Sequence, residues 1–182
     1  NFQVKIVCVE ETMHSTGSGC TYDDMRSMKN QNYDGIDRLT GLYNGEYALK
    51  EIQAYMEQNP ECTAAVYIMD IDNFRTVDET LGRLFGNEIM KEIAAAICQV
   101  FRKQAVIGRI GGDKFLIFEK NYESVDRIRE NAEELCHRAR STFKGEDQNF
   151  VISLSIGIAI MPDDGYEWKQ LAQHATQALT YV

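Results

Sequence analysis

The chain of 182 residues suits one α/β domain with a short additional segment rather than two full hydrophobic cores. Its formal net charge of −9, with no cluster of lysine and arginine, argues against binding to a nucleic-acid backbone, although local contacts can still hold a small phosphorylated ligand. The sequence contains neither a run of about 18 apolar residues nor a signal-peptide pattern, so we expect this segment to be cytoplasmic and to make no membrane contact.

The first part of the chain differs from the rest in composition. Residues 3–9 are rich in β-formers and partly alternating, which predicts a strand, and the stretch that follows to Gly35 is polar and contains glycine. A lone strand cannot bury its face, so we predict that residues 1–13 are the strand remnant of a preceding sensor domain and that residues 14–36 are a linker. The folded domain itself is expected over residues 37–182.

A helical pattern and then a β pattern follow the linker. Apolar residues on one helical face predict a helix that begins near Asn44. They are Ala48, Leu49, Ile52, Tyr55 and Met56. The short apolar run over residues 63–69 is typical of a strand buried on both faces, and it ends at Asp70. A second amphipathic helix is entered through Gly82 and Gly86. Its apolar face consists of Ile89, Ile93, Ala96, Ile97 and Val100.

The later elements complete an alternating order. Two β-like runs flank the pair Gly111-Gly112, and paired glycines permit the positive φ values of a tight hairpin turn. Asp113 and Lys114 would stand at the tip of that hairpin. A third helix, a strand over residues 150–160 and a final helix follow, so the element order predicts a mixed sheet with helices on both faces.

Two aspartates from distant segments are predicted at similar places, Asp70 at the end of a buried strand and Asp113 beside the glycine hairpin. Paired carboxylates on rigid strand ends suit a hard divalent cation such as Mg²⁺, which prefers oxygen ligands and keeps other positions for phosphate and water. Aspartate is also common in turns, so the spacing alone leaves both interpretations open.

A glycine-containing heptapeptide is the most specific signal. Residues 109–115 read Arg-Ile-Gly-Gly-Asp-Lys-Phe and resemble the signature of the GGDEF family of diguanylate cyclases, and further segments match the same family in order. These are residues 37–44 (Asp-Arg-Leu-Thr-Gly-Leu-Tyr-Asn), residues 69–75 (Met-Asp-Ile-Asp-Asn-Phe-Arg), Gly82 with Gly86, and residues 153–159 (Ser-Leu-Ser-Ile-Gly-Ile-Ala). An isolated Gly-Gly-Asp would carry little weight, but ordered matches from Asp37 to the C-terminus identify the chain as a member of this family.

The resemblance implies a fold and a reaction. The implied fold is α/β (α+β), a five-stranded mixed, largely antiparallel sheet with helices on both faces, similar to the adenylate cyclase catalytic domain and the polymerase palm. The implied reaction joins two GTP molecules into cyclic di-GMP with Mg²⁺ as cofactor. Each 3′-hydroxyl attacks the α-phosphate of the other nucleotide, so two subunits must face each other and a homodimer is expected of an active enzyme.

Site residues follow from the resemblance position by position. The Asp70 carboxylate, the backbone carbonyl of Ile71 and the Asp113 carboxylate match its metal-binding positions. Phe74 and Arg75 match its phosphate-side positions. Arg75 stands where the family usually has lysine, which keeps the charge and changes the donor geometry.

Two further positions concern architecture and regulation. Asp37 and Arg109 match a structural ion pair of the family, so we expect them to support the fold rather than the chemistry. Family members that are inhibited by their product carry Arg-x-x-Asp upstream of the signature. Here Arg102 is followed three positions later by Ala105, so no inhibitory product site is expected.

Lys114 is the main departure from the family, because it occupies the signature position where the family has a catalytic glutamate. The exchange changes the local charge by two units, and one unit at roughly 5 Å and an effective dielectric near 20 contributes about 3 kcal/mol, comparable with two decades in a rate. The ammonium could repel Mg²⁺, pair with Asp113 or bind phosphate in place of the ion. It could also extend into solvent and leave the site unchanged.

The guanine-recognition positions are also altered. The family uses Asn and Asp there, and this chain has Asp78 and Asn87, with the two types exchanged. A carboxylate and an amide together can read the N1, N2 and O6 atoms of guanine, but only when each faces the correct atoms. Both residues are also common helix caps, so a structural role stays open.

Three functions therefore remain open from the sequence. The favoured hypothesis is a domain with impaired synthesis that binds GTP or a related nucleotide and regulates a neighbour, such as a C-terminal phosphodiesterase domain. The first alternative is an active diguanylate cyclase, and the intact Asp70 and Asp113 favour it. The second alternative is a scaffold that binds no nucleotide and dimerises or links the N-terminal sensor domain.

Overall fold

The computed structural model describes residues 4–7, 33–101, 105–142 and 152–180. The strands are β1 (Val4–Val7), β2 (Tyr43–Asn44), β3 (Ala64–Ile71), β4 (Ala105–Gly111), β5 (Lys114–Lys120) and β6 (Leu154–Met161). The α-helices are α1 (Gly45–Gln58), α2 (Phe74–Leu81), α3 (Arg83–Phe101), α4 (Val125–Thr142) and α5 (Trp168–Thr180), and a 3-10 helix covers Tyr33–Gly35.

One sheet runs through the molecule, with the strand order β1-β6-β3-β5-β4-β2. The two-residue strand β2 pairs with β4 in parallel, and the other neighbours are antiparallel. Strands β2 to β6 are thus the five-stranded mixed, largely antiparallel sheet that the sequence predicted.

Strand β1 adds a sixth strand at the edge of the sheet. Val4 lies opposite Ile158 of β6, and Val7 lies opposite Ser155. The strand predicted at residues 3–9 is therefore present over Val4–Val7, but it pairs with the sheet of this domain. The rest of residues 1–13, and residues 14–32 of the predicted linker, lie outside the described residues, so their assignment to a preceding domain and a linker stays a prediction.

The central strand β3 separates two hydrophobic cores. Its side chains alternate between the faces of the sheet, as the period of a β-strand requires. Ala65, Tyr67, Met69 and Ile71 pack with α3 and α4 in one core, and Ala64, Val66 and Ile68 pack with α1 and α5 in the other. This double burial explains why the sequence over β3 is a continuous apolar run.

Two local features fix the start of α1 and the position of α5 on the sheet. The Asn44 side chain accepts a hydrogen bond of 2.9 Å from the Tyr47 backbone N–H and caps α1. Helix α5 approaches β6 most closely at Gly157, where a Cβ atom would lie 2.0 Å from the Ala175 carbonyl oxygen and 2.6 Å from the Leu179 nitrogen. Among the described residues, no helix has both the length and the apolar character needed to cross a membrane.

The close approach at Gly157 generates a stability prediction. Gly157→Ala should lower the free energy of unfolding by at least about 2 kcal/mol, because the new methyl group meets backbone atoms of α5 and forces the helix away from the sheet. Urea unfolding followed by circular dichroism measures the change.

Gly45→Ala is the matched control. The nearest atom to its new Cβ is 3.3 Å away, and alanine is the better helix former, so we expect a change below about 1 kcal/mol. Equal stability of Gly157→Ala and the unchanged protein would contradict the described packing of α5.

Candidate functional site

The site is built where β3 ends beside the turn between β4 and β5. In the antiparallel register, Asp70 of β3 lies opposite Lys114 of β5 and opposite Ser155 of β6. Gly112 has a φ of +54°, which favours glycine, and the tight turn at Gly112 and Asp113 places the start of β5 next to Asp70. Register and turn together bring the two aspartates of the predicted metal site to one end of the sheet.

Lys114 forms an ion pair with Asp70. The Lys114 Nζ donates a hydrogen bond of 2.6 Å to Asp70 Oδ2, and the side chains are 47% and 28% exposed. Of the outcomes that the sequence left open for this ammonium, pairing with a site carboxylate is the one observed, but the partner is Asp70 and not Asp113. The ammonium does not simply extend into solvent.

Asp113 lies close enough to Asp70 for their charges to interact. Burial raises the pKa of Asp113 above its ordinary value, and the negative charge of Asp70 raises it further, while a backbone hydrogen bond and the Lys114 charge oppose the rise. The other oxygen of Asp70, Oδ1, is buried and has no hydrogen-bond partner among the described residues. The charge of the Lys114 ammonium thus acts on both carboxylates, and its hydrogen bond goes to Asp70.

This arrangement does not fit a Mg²⁺ ion as it stands. Such an ion needs carboxylate oxygens at about 2.0–2.1 Å, and the Lys114 ammonium already occupies Asp70 Oδ2. An ion on the remaining oxygens would lie about 5 Å from the ammonium, a repulsion of about 6 kcal/mol at an effective dielectric near 20 and less where water screens it. The described residues contain no group of three or more His, Cys, Asp or Glu side chains that could hold a metal.

Arg109 and Asp37 fix the hairpin to the start of the domain. Arg109 Nη1 lies 3.1 Å from Asp37 Oδ2, and Arg109 Nε and Nη2 donate hydrogen bonds of 2.9 and 2.7 Å to the Gly112 carbonyl. Thr40 donates to Asp37 Oδ1 from its backbone N–H at 2.9 Å and from its hydroxyl at 2.7 Å. The ion pair expected from the resemblance is present, and its link to the hairpin turn is an addition that sequence reasoning missed.

The contacts of Asp72 were also missed by sequence reasoning. Its carboxylate accepts hydrogen bonds from the Ser153 hydroxyl at 2.6 Å and the Ser155 hydroxyl at 2.7 Å, and its backbone N–H donates to the Ser153 carbonyl. These contacts tie the end of β3 to the start of β6. The two-residue spacing of the serines, which puts both on one face of a strand, was the signal that could have indicated a shared partner.

An open cleft lies between α2 and the hairpin turn. Its volume is about 430 Å³, and its lining consists of Phe74, Arg75, Asp78, Glu79, Gly112 and Asp113. Arg75 Nε lies 2.8 Å from Glu79 Oε1, but the Arg75 side chain is 91% exposed, so this i,i+4 pair contributes little to stability. A guanidinium held so weakly can turn to an anionic ligand in the cleft. The cleft brings together four of the predicted site residues.

The two residues at the predicted guanine-recognition positions differ in placement. The Asp78 carboxylate lies against Gly86, where a Cβ would come within 1.9 Å of its Oδ1, so a side chain at position 86 would displace it. Asp78 Oδ1 is buried without a hydrogen-bond partner among the described residues, whereas Asn87 is half-buried in α3 and is not part of the cleft lining. Asp78 thus lines the cleft, but its Oδ1 atom is turned toward Gly86 of α3.

The remaining predicted positions lie elsewhere. The Ile71 side chain is buried in the core, and Ile71 pairs with Leu154 of β6. Ala105 begins β4. Arg102 falls outside the described residues, so the absence of an inhibitory product site stays a prediction.

Comparisons with known proteins agree on one family. Residues 35–182 match the sequence model of the family described as diguanylate cyclase, GGDEF domain. The cyclic di-GMP phosphodiesterase PdeR of Escherichia coli (strain K12) is 29% identical over 143 residues, which are 79% of this chain and 22% of that protein. The bifunctional diguanylate cyclase/cyclic di-GMP phosphodiesterase MucR of Pseudomonas aeruginosa is 34% identical over 148 residues, which are 80% of this chain and 22% of that protein.

The chain spans about a fifth of the length of these curated relatives. Among solved structures, the GGDEF domain of DgcB from Caulobacter crescentus, in complex with c-di-GMP, superposes with a TM-score of 0.70 at 24% identity, and the match covers 82% of this chain and 90% of that one. At this identity the likeness supports the shared fold and nothing about the ligand.

The surroundings of Asp37 generate a prediction on pH. Burial opposes the charge of Asp37, but the hydrogen bonds from Thr40 and the Arg109 charge outweigh it and lower the pKa below the ordinary value of 3.8. A lowered pKa stabilises the folded state above the ordinary value, and this contribution is lost as the pH falls through the lowered value. Asp37→Asn should therefore lower the free energy of unfolding by about 1–3 kcal/mol at pH 7, and the deficit should shrink below about pH 4.

Urea unfolding at a series of pH values between 7 and 3 measures this dependence. Asp34→Asn is the matched control, because Asp34 is an exposed aspartate a few residues earlier, and we expect little change from it. A deficit of Asp37→Asn that stays constant over the whole range would contradict the assignment.

Proposed function

Because this chain belongs to the GGDEF family of diguanylate cyclase domains, we propose that it binds GTP or a related nucleotide in the cleft, regulates a neighbouring module and is impaired in cyclic di-GMP synthesis. The proposal rests on one observation, the ion pair between Lys114 and Asp70 beside an open cleft. The cleft supplies groups for binding a nucleotide, while the Lys114 ammonium offsets one of the two aspartate charges at the predicted metal positions.

The cleft has the chemistry that a nucleotide requires. Asp78 lines the cleft, and a carboxylate is an acceptor that suits the N1 and N2 donors of guanine. At the other end Arg75 is exposed and only weakly held, and it supplies a positive charge for phosphate. Phe74 gives the cleft an apolar wall. These groups support binding without requiring any bond to be made or broken.

The loss of synthesis is proposed from charge. In the resemblance, a glutamate at position 114 and the two aspartates present three negative charges to metal ions. Here Asp70, Asp113 and Lys114 together leave a single negative charge. A divalent ion that neutralises developing charge in nucleotidyl transfer is correspondingly harder to hold, and the reaction loses its main electrostatic stabilisation.

A regulatory role fits the architecture of the relatives. Among them are a protein named as a cyclic di-GMP phosphodiesterase and one named as bifunctional, and this chain spans about a fifth of each. We extend this to an N-terminal sensor domain and a C-terminal phosphodiesterase domain as neighbours in the whole protein. A homodimer belongs to the proposal only if synthesis survives, because a nucleotide receiver functions as a single domain.

An active cyclase is the second candidate, since both metal-binding aspartates are retained. The full-length protein, given GTP and Mg²⁺, should form cyclic di-GMP at no more than background rate, and Lys114→Glu should raise that rate by at least about 100-fold, the effect of one of the two charge units that it restores. Chromatographic measurement of the product checks this. The control Lys120→Glu makes the same charge change at the other end of β5 and should stay at background. Substantial turnover that Lys114→Glu leaves unchanged would establish the cyclase instead.

Base preference provides a separate test of nucleotide binding. In calorimetric titrations the chain should bind GTP more tightly than ATP, and Asp78→Ala should reduce that preference about tenfold, because the carboxylate that would accept from the guanine donors is removed. Thr80→Ala, an exposed position on the same helix outside the cleft lining, should keep it. No heat with either nucleotide at millimolar concentration would favour the scaffold.

A further inference from the structure

In the ion pair at the end of β3, the Lys114 ammonium is a counter-ion that the chain itself supplies to Asp70. Lys114 Nζ lies 2.6 Å from Asp70 Oδ2, on the oxygen that a metal ion would otherwise use. Asp113, the residue before Lys114, lines the cleft together with Gly112. The Lys114 charge acts on Asp113 as well as on Asp70, so it acts on a carboxylate that lines the cleft.

The ammonium has unused bonding capacity. A lysine head group carries three N–H donors and no acceptor, and the contact with Asp70 uses one of them. Because the Lys114 side chain is 47% exposed, its other donors can reach water or a ligand. An ammonium can thus bridge a carboxylate and a phosphate oxygen, which is the arrangement that Mg²⁺ provides in metal-dependent nucleotide sites.

Lys114 is also held in place before any ligand arrives. Its backbone is part of β5, and its register opposite Asp70 is fixed by the pairing of β5 with β3. Arg109 secures the adjoining turn through two hydrogen bonds to the Gly112 carbonyl. A cation positioned in this way needs little rearrangement to meet a phosphate, whereas a divalent ion would first have to displace it from Asp70.

We propose that the cleft binds its nucleotide as the metal-free phosphate anion, with the Lys114 ammonium in the place that a divalent cation takes in the family. The inference rests on the proposed nucleotide binding and goes beyond it by naming the ionic form of the ligand. Mg²⁺ then competes with the protein for the phosphates and does not assist binding.

Calorimetric titration of the 182-residue chain with GTP, once with EDTA and once with about 5 mM Mg²⁺, tests the inference. The dissociation constant with EDTA should be equal to or smaller than that with Mg²⁺. Lys114→Glu should bind GTP at least about tenfold more weakly than the unchanged chain with EDTA, and Mg²⁺ should restore its binding. Lys120→Glu lies about 20 Å away along the same strand and should behave as the unchanged chain under both conditions.

Each outcome separates the two proposals. If the unchanged chain binds GTP at least about tenfold more tightly with Mg²⁺ than with EDTA, nucleotide binding stands and the metal-free form is wrong. If GTP does not bind under either condition, the proposed function itself is wrong, and the inference falls with it. Lys114→Met removes the positive charge without adding a negative one and guards against a folding defect of Lys114→Glu. It should bind weakly with EDTA and retain the circular dichroism spectrum of the unchanged chain.

Discussion

The pairing register between β3 and β5 is the constraint on which the site depends. It sets Asp70 directly opposite Lys114, and the opposed side chains close into an ion pair of 2.6 Å. A slip of one residue would turn Asp70 into one of the cores and break the pair, because side chains alternate between the faces of a strand. Both faces of β3 are buried, so the packing of two cores fixes the register. The same packing therefore fixes the position of Asp70 relative to Lys114.

Much of the fold could be predicted from periodicity. The apolar run of β3, the amphipathic helices and the glycine hairpin each have a strong local pattern, and each is present. Strand β2 escaped prediction because two residues carry no period, and it is defined by its pairing with β4 and a bridge from Tyr43 to Ile36. Strand β1 was predicted as a strand. The residues of a strand do not specify its partner, so the pairing of β1 with β6 could not be predicted from them.

The site was less predictable because its contacts join distant parts of the chain. The ion pair of Asp37 with Arg109 was expected from family resemblance and not from spacing. Lys114 pairs with Asp70 and not with the adjacent Asp113 because of the strand register and the shape of the turn. A single sequence specifies neither of these. The hydrogen bond from Arg109 to the Gly112 carbonyl could not be predicted for a different reason. Its acceptor is a backbone atom, which every residue has, so no residue type indicates it.

The cleft lining and the ion pair belong to different elements of one domain. The lining residues lie on α2 and the hairpin turn, whereas the ion pair joins the first residue of β5 to the end of β3. Asp78 is packed against Gly86 of α3, so its position is set by the contact between α2 and α3. We therefore expect a change of charge at position 114 to alter the end of β3 without altering the packing around Asp78.

The exposed position of Lys114 has an evolutionary consequence. A lysine codon becomes a glutamate codon through a change in its first base, and the residue at the start of β5 belongs to neither core, so the exchange leaves the packing of both cores in place. A population can therefore move between the two charge types in one mutational step and in either direction. Among descendants of a common ancestor, the two types need not form separate lineages.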